Sequence, residues 1–290
     1  MESTKLVREL LDALHEEGDI RMKDKERQEA LNALGDDITA ACIVQPEFRR
    51  LARMFGKRSS HLKLVASLFS SQSGNVPKID LSNSKVTFTV LSGLCPYIMY
   101  LSSNLVSLNL SRNPLGVKGA KALGDALVYN NSIQYLELAS CRLVGSPFRP
   151  TYDGVLSLSK GISSTRSKLR FLDVSSNSLT PNGIRIICSA ISFHPSVTAL
   201  DISANGAGDF GELEGTMALV TLLTCQKRLS WLSLASSPFN HKGSHLLKDA
   251  LRENKTLTHL DLTNCDIDRV SRNLFQDLPS VVNKVLSISL

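Results

Sequence analysis

No apolar run in the chain approaches the length of a bilayer span, which excludes a transmembrane helix. The opening stretch carries Glu2, Glu9, Asp12, Glu16 and Glu17 and lacks the apolar core of a signal, so it reads as neither a secretory signal nor an organellar transit peptide. Cysteine is thinly spread. Cys42, Cys95, Cys141, Cys188, Cys225 and Cys265 stand dozens of residues apart, which suits neither a disulfide framework nor paired metal-ligand spacing. Reduced thiols in a cytoplasmic protein are the expectation. Catalytic signatures are missing as well: there is no GxSxG elbow, no dinucleotide fingerprint, and no GKS or GKT phosphate loop in the first 75 residues. His15, His61, His194, His241, His245 and His259 form no metal-binding helix motif, and surface positions are expected for them. No cofactor and no small-molecule substrate are implied, and no enzyme is expected. Glycosylation tripeptides begin at Asn109, Asn130 and Asn254, but the motif is common by chance, and Asn109 falls in an expected strand.

What the chain does contain is a repeat. Strand starts fall at Val76, Leu105, Ile133, Leu169, Val197, Leu229, Leu257 and Val285, at intervals of 29, 28, 36, 28, 32, 28 and 28 residues. The first, fourth and sixth position of each is Leu, Ile or Val, in a chain only 42% apolar. After each strand an apolar pattern of helical spacing follows, as in Leu115, Gly119, Leu123, Ala126 and Leu127. Three residues past the last aliphatic stand Ser84, Asn113, Cys141, Asn177, Asn205, Ser237 and Cys265, side chains suited to bonding the backbone groups freed at a turn. A strand, a turn and a helix at a fixed period make a solenoid.

This alternation over residues 76–290 resembles the ribonuclease-inhibitor class of leucine-rich repeats. The resemblance implies an α/β horseshoe with a curved parallel sheet inside and helices outside, used for binding proteins. Ribonuclease inhibitor itself is cysteine-rich and acidic, unlike this chain with its six cysteines and net charge of +6. NOD-like receptors carry a nucleotide-binding module ahead of their repeats, for which the first 75 residues are too short. Those residues instead show amphipathic stretches, such as Leu6, Val7, Leu10, Leu11 and Leu14, that predict an all-α N-terminal cap over 1–75. VLSISL, from Val285 to Leu290, matches the strand of an eighth repeat without its helix, so an edge left for a partner, a tail or further chain is expected there.

On the inner face the position between the second and third aliphatics reads Asp80, Asn109, Glu137, Asp173, Asp201, Ser233, Asp261 and Ser289. Stacked at about 4.8 Å per strand, its carboxylates make a negative stripe. Two residues earlier stand Lys78, Ser107, Tyr135, Phe171, Ala199, Trp231, His259 and Ser287, and aromatics beside acids suit a protein interface. A partner with a basic surface is expected, and nucleic acid is not, because this face repels phosphate. Two repeats are lengthened between strand and helix, placing Phe148, Arg149, Tyr152, Asp209, Phe210 and Glu212 on one rim as a second contact patch. Arg49, Arg50, Arg53, Lys57, Arg58 and Lys63 form an acid-free basic run in the cap. The function expected is a cytoplasmic scaffold or adaptor, a subunit of a larger hetero-assembly of cytoskeletal or flagellar kind by family analogy. The alternative is a GTPase activator resembling the Ran-activating protein, with Arg149 as the contact to the GTPase.

Overall fold

The computed structural model describes residues 78–84, 86–96, 98–99, 105–205, 213–267, 269–276, 278 and 287–290. The helical cap expected over 1–75, with the basic run from Arg49 to Lys63, lies outside them. So do Asp209, Phe210 and Glu212.

Strands and helices alternate along the described chain. They are β1 (Lys78–Asp80), α1 (Phe88–Pro96), β2 (Ser107–Asn109), α2 (Gly116–Leu127), β3 (Tyr135–Glu137), a hairpin of β4 (Gly145–Ser146) and β5 (Arg149–Pro150), and α3 (Asp153–Ile162). Then follow β6 (Phe171–Asp173), α4 (Thr180–Ser192), β7 (Ala199–Asp201), α5 (Leu213–Cys225), β8 (Trp231–Ser233), α6 (His241–Glu253), β9 (His259–Asp261), α7 (Arg269–Gln276) and β10 (Ser287–Ser289). The main sheet has eight strands in the order β1-β2-β3-β6-β7-β8-β9-β10, all paired in parallel. Sequential strands thus lie side by side, as a right-wound solenoid of strand–helix units requires.

The aliphatic positions explain the stacking. Leu108, Leu110, Leu136, Leu138, Leu172, Val174, Leu200, Ile202, Leu232 and Leu234 are fully buried behind the sheet, against helix residues such as Leu123, Leu158, Ile187, Leu222 and Leu247. One helix pair approaches more closely than side chains would allow. A Cβ on Gly124 of α2 would lie 2.2 Å from the backbone carbon of Ser157 in α3, and one on Gly161 would lie 2.5 Å from the Gly124 carbonyl oxygen. Glycine at both positions lets α2 and α3 pack backbone on backbone.

The same position of each turn after a strand is in the left-handed region, at Asn83, Arg112, Ser140, Ser176, Ala204, Ser236 and Asn264, with φ between 50° and 59°, and Arg142, Ser178, Thr180 and Asp266 add further left-handed residues in three of these turns. Only two of these are asparagine, the residue that tolerates the conformation best after glycine. In five of the seven turns the next residue, Asn113, Cys141, Asn177, Asn205 or Cys265, bonds the preceding repeat through its side chain.

Candidate functional site

The register of the sheet stacks the inner face into columns. Tyr135 lies beside Phe171, Phe171 beside Ala199, Ala199 beside Trp231 and Trp231 beside His259. Ala199 is small, so the rings of Phe171 and Trp231 reach each other across it and meet edge to face, with centroids 6.4 Å apart. Tyr135 and His259 flank this pair and are exposed, and His259 Nδ1 is 2.9 Å from Thr258 Oγ1.

The second column aligns Asn109, Glu137, Asp173, Asp201, Ser233 and Asp261. Its acids have a structural task that charge alone did not suggest. Asp80, Asp173, Asp201 and Asp261 each accept, through Oδ1, the backbone N–H two residues on, at 2.8 to 3.0 Å. These bonds are Asx turns that end the strands. Asn109 does the same for Ser111 at 3.0 Å, so the turn needs the acceptor oxygen and not the charge. The charge remains, half-buried at Asp173, Asp201 and Asp261. Burial pushes the Asp173 carboxyl above its ordinary value and the Asp201 charge adds to this, while hydrogen bonds from Ser175 oppose it. Ser233 interrupts the stripe and is buried.

Behind these columns runs an asparagine ladder. Asn177 accepts the N–H groups of Cys141 and Leu143 in the preceding turn and donates to the carbonyls of Leu138, Val174 and Ser175. Asn113 and Asn205 repeat the pattern one turn apart from their own neighbours. Cys141 and Cys265 fill the same position, with their thiols donating at 3.2 and 3.1 Å to Leu110 and Leu234. Burial raises these thiols to about 12 and about 11, so they are inert donors rather than nucleophiles.

The Leucine Rich repeat family model matches residues 101–124, 167–188 and 253–269. Among curated proteins, NACHT, LRR and PYD domains-containing protein 14 of Mus musculus is 31% identical over 195 residues, 67% of this chain and 18% of that protein. Ribonuclease inhibitor of Sus scrofa is 26% identical over 251 residues, 78% of this chain and 54% of that protein. The chain is a leucine-rich-repeat protein of the ribonuclease-inhibitor class. It spans 18% and 54% of the length of these relatives. A solved structure titled Leiomodin-1 Actin-Binding Site 2 aligns with a TM-score of 0.41 at 14% identity, over 65% of this chain and 87% of that one.

In this leucine-rich-repeat sheet the strand-exit rim carries the insertion after β3 as a real hairpin. Phe148 at its tip is 93% exposed and Arg149 beside it is exposed. Tyr152 is half-buried and its hydroxyl is 2.5 Å from Thr180 Oγ1, so this residue anchors the hairpin to the next repeat. Among the described residues no cluster of three or more His, Cys, Asp or Glu is arranged to hold a metal ion, and no helix is long and apolar enough to cross a membrane.

One expectation fails outright. His194 is buried, not at the surface: its Nε2 faces the Ile162 carbonyl at 3.1 Å and its Nδ1 accepts from the Ser196 N–H at 3.3 Å. It belongs to a second ladder, at the opposite ends of the strands, with Asn130, Gln226 and Asn254. Asn130 and Asn254 accept two N–H groups of their own turn and donate to Ile98 and Leu223 of the previous repeat. Gln226 donates to Ile191 and His194 and accepts from Arg228. All four stand three residues before a strand's first aliphatic, a column that was open to view in the sequence. Its varied chemistry hid it. The same burial removes Asn130 and Asn254 from the candidates for glycosylation.

Proposed function

We propose that this protein is a non-catalytic scaffold or adaptor that holds a protein partner against the concave sheet. The observation that carries the reading is the Phe171–Trp231 pair, built across Ala199 and bordered by Asp173 and Asp201 on the same open face. Large aromatic surfaces supply binding energy when desolvated, and the acids select a partner with a basic surface. Tyr135, Glu137, His259, Asp261 and Asp80 extend the same face on either side. Phe148 and Arg149 on the hairpin, with Asp209, Phe210 and Glu212 of the second insertion, are the candidates for a further contact patch, and the basic run from Arg49 to Lys63 is a candidate contact to an assembly. Cytoplasmic residence is supported by free thiols at Cys95, Cys141, Cys188 and Cys265, all buried and unpaired.

The test is recovery of partners from native lysate by the parent and by a variant carrying Asp173→Asn, Asp201→Asn and Trp231→Ala. Asparagine keeps each Asx turn, as Asn109 does, so the variant changes charge and aromatic area without unfolding the turns. Loss of one dominant partner is the expected result. Unchanged recovery moves the function to the hairpin or the cap.

A further inference from the structure

The loops that run from a helix end to the next strand form one rim of the solenoid, opposite the hairpin. Five of them are described: 128–134, 163–170, 193–198, 226–230 and 254–258. They contain Arg166, Lys168, Arg170, Lys227, Arg228 and Lys255, all exposed, and no aspartate or glutamate. None of the six pairs with a carboxylate among the described residues. The nearest acids in sequence are Glu253 in α6, Asp125 in α2, and Glu137, Asp173, Asp201 and Asp261, the last residues of the following strands, whose carboxylates belong to the concave column; Asp249 pairs with Lys248 at 3.4 Å. The same rim exposes apolar surface: Phe193 is 80% exposed, Tyr129 51% and Val128 36%.

Part of this charge serves the fold. Helices α2 to α6 end on this rim, where their carbonyls favour cations, and Lys227 Nζ closes α5 by donating to the Thr224 carbonyl at 2.6 Å. Arg166, Lys168 and Arg170 stand four or more residues beyond Ile162, the end of α3, too far for that role. Phe193 lines a groove between α4 and α5 with Cys188, Met217 and Ala218, yet it remains 80% exposed between two basic loops.

We propose that this rim is a docking edge for an anionic membrane surface. The cations match lipid headgroup charge, and Phe193, Tyr129 and Val128 are the side chains that enter the interfacial layer beside them. A nucleic-acid strand fits less well. It is tracked by a groove whose successive aromatics stack its bases, whereas here the two aromatics are separated by two repeats on a projecting edge, and Val128 offers no stacking face. Held edge-on, the solenoid keeps its acidic concave face perpendicular to the bilayer and open to a partner. The inference stands on different residues from the concave reading and is independent of it.

Sedimentation of the full chain with vesicles tests it, comparing phosphatidylcholine alone with phosphatidylcholine containing about 30% phosphatidylserine at about 0.1 M salt. The parent is expected to bind only the anionic vesicles. Arg166→Gln, Lys168→Gln and Arg170→Gln together are expected to weaken binding about a hundredfold. Phe193→Ser is expected to weaken it about tenfold while leaving the salt dependence intact. The run from Arg49 to Lys63 holds six cations of its own, so the readout is the difference between parent and rim variant. An Arg228→Gln and Lys255→Gln double variant, in other repeats, gives a second reading should the triple variant melt early. Rim variants that bind like the parent overturn the proposal, as does a parent that ignores anionic vesicles. Preferential binding of an oligouridylate that the same variants abolish overturns it in favour of nucleic acid.

Discussion

The two ends of each strand face the same problem, a turn whose backbone groups are cut off from water, and answer it with different chemistry. At the strand exit, Asn113, Asn177 and Asn205 reach into the preceding turn from a backbone held open by a left-handed residue. At the strand entry, Asn130, His194, Gln226 and Asn254 do similar work with side chains of three types. A tightly bent turn accepts only a short carboxamide or a small substitute, whereas a looser loop admits any side chain that offers an acceptor inward and a donor outward. Regularity at one end and variety at the other follow from the room available.

The sharpest way to break the comparison is Asn177→Ala. It strands two N–H donors and three carbonyls in a site 2% exposed, and a loss of roughly 4 kcal/mol and about 10 °C in Tm is expected by calorimetry. Should this variant melt with the parent, the strand-exit ladder is not what couples the repeats. At the entry end Gln226→Ala removes three bonds from a looser loop and is expected to cost about 2 kcal/mol. The left-handed positions allow a gain: Ala204→Gly relieves a φ of 50° and is expected to stabilise by about 1 kcal/mol in urea melts.

Protonation separates the ends further. Burial lowers the His194 pKa below its ordinary 6.5, although the Ile162 carbonyl opposes the shift. The unfolded chain then binds the proton more readily, so stability is full above about pH 6.5 and falls as the pH drops through that value towards the lower folded pKa. His194→Asn, which copies Asn130 and Asn254, is expected to flatten this slope in melts taken between pH 7 and pH 5. Asp173 works with the opposite sign. Its folded pKa is raised, so the native state binds its proton more tightly and charging the group costs stability as the pH rises above the unfolded value of 3.8. Asp173→Asn is expected to raise Tm slightly at pH 7 and to have no effect at pH 3; a fall at pH 7 would show that the carboxylate is more than an acceptor for Ser175.

The repeat was legible because its aliphatic columns are nearly uniform and because strand spacing has one solution once Leu108, Leu136 and Leu172 are aligned. Asn113 and Asn177 were legible as turn residues for the same reason. The task of Asp173 and Asp201 was not, because a carboxylate on a sheet face reads as charge until its Oδ1 is seen to accept the N–H two residues on. His194 was misjudged because a histidine beside a proline in a loop looks exposed, and only the packed neighbour supplies the Ile162 carbonyl. The basic rim escaped notice because its cations are scattered over 90 residues of sequence, from Arg166 to Lys255, and meet only when the solenoid winds.

The asparagine ladder also divides the solenoid mechanically. Carboxamides join the turn of Ser84 to that of Asn113, and join the turns of Cys141, Asn177 and Asn205. Between Asn113 and Cys141 no carboxamide crosses, and the side-chain links are the Cys141 thiol and the Ser111 hydroxyl, while at Ser237 the buried hydroxyl has no hydrogen-bond partner. Under tension along its axis such a chain yields at its weakest rungs, so the protein would come apart in blocks, first behind Asn205 and then behind Asn113, with the aromatic pair straddling the earlier break.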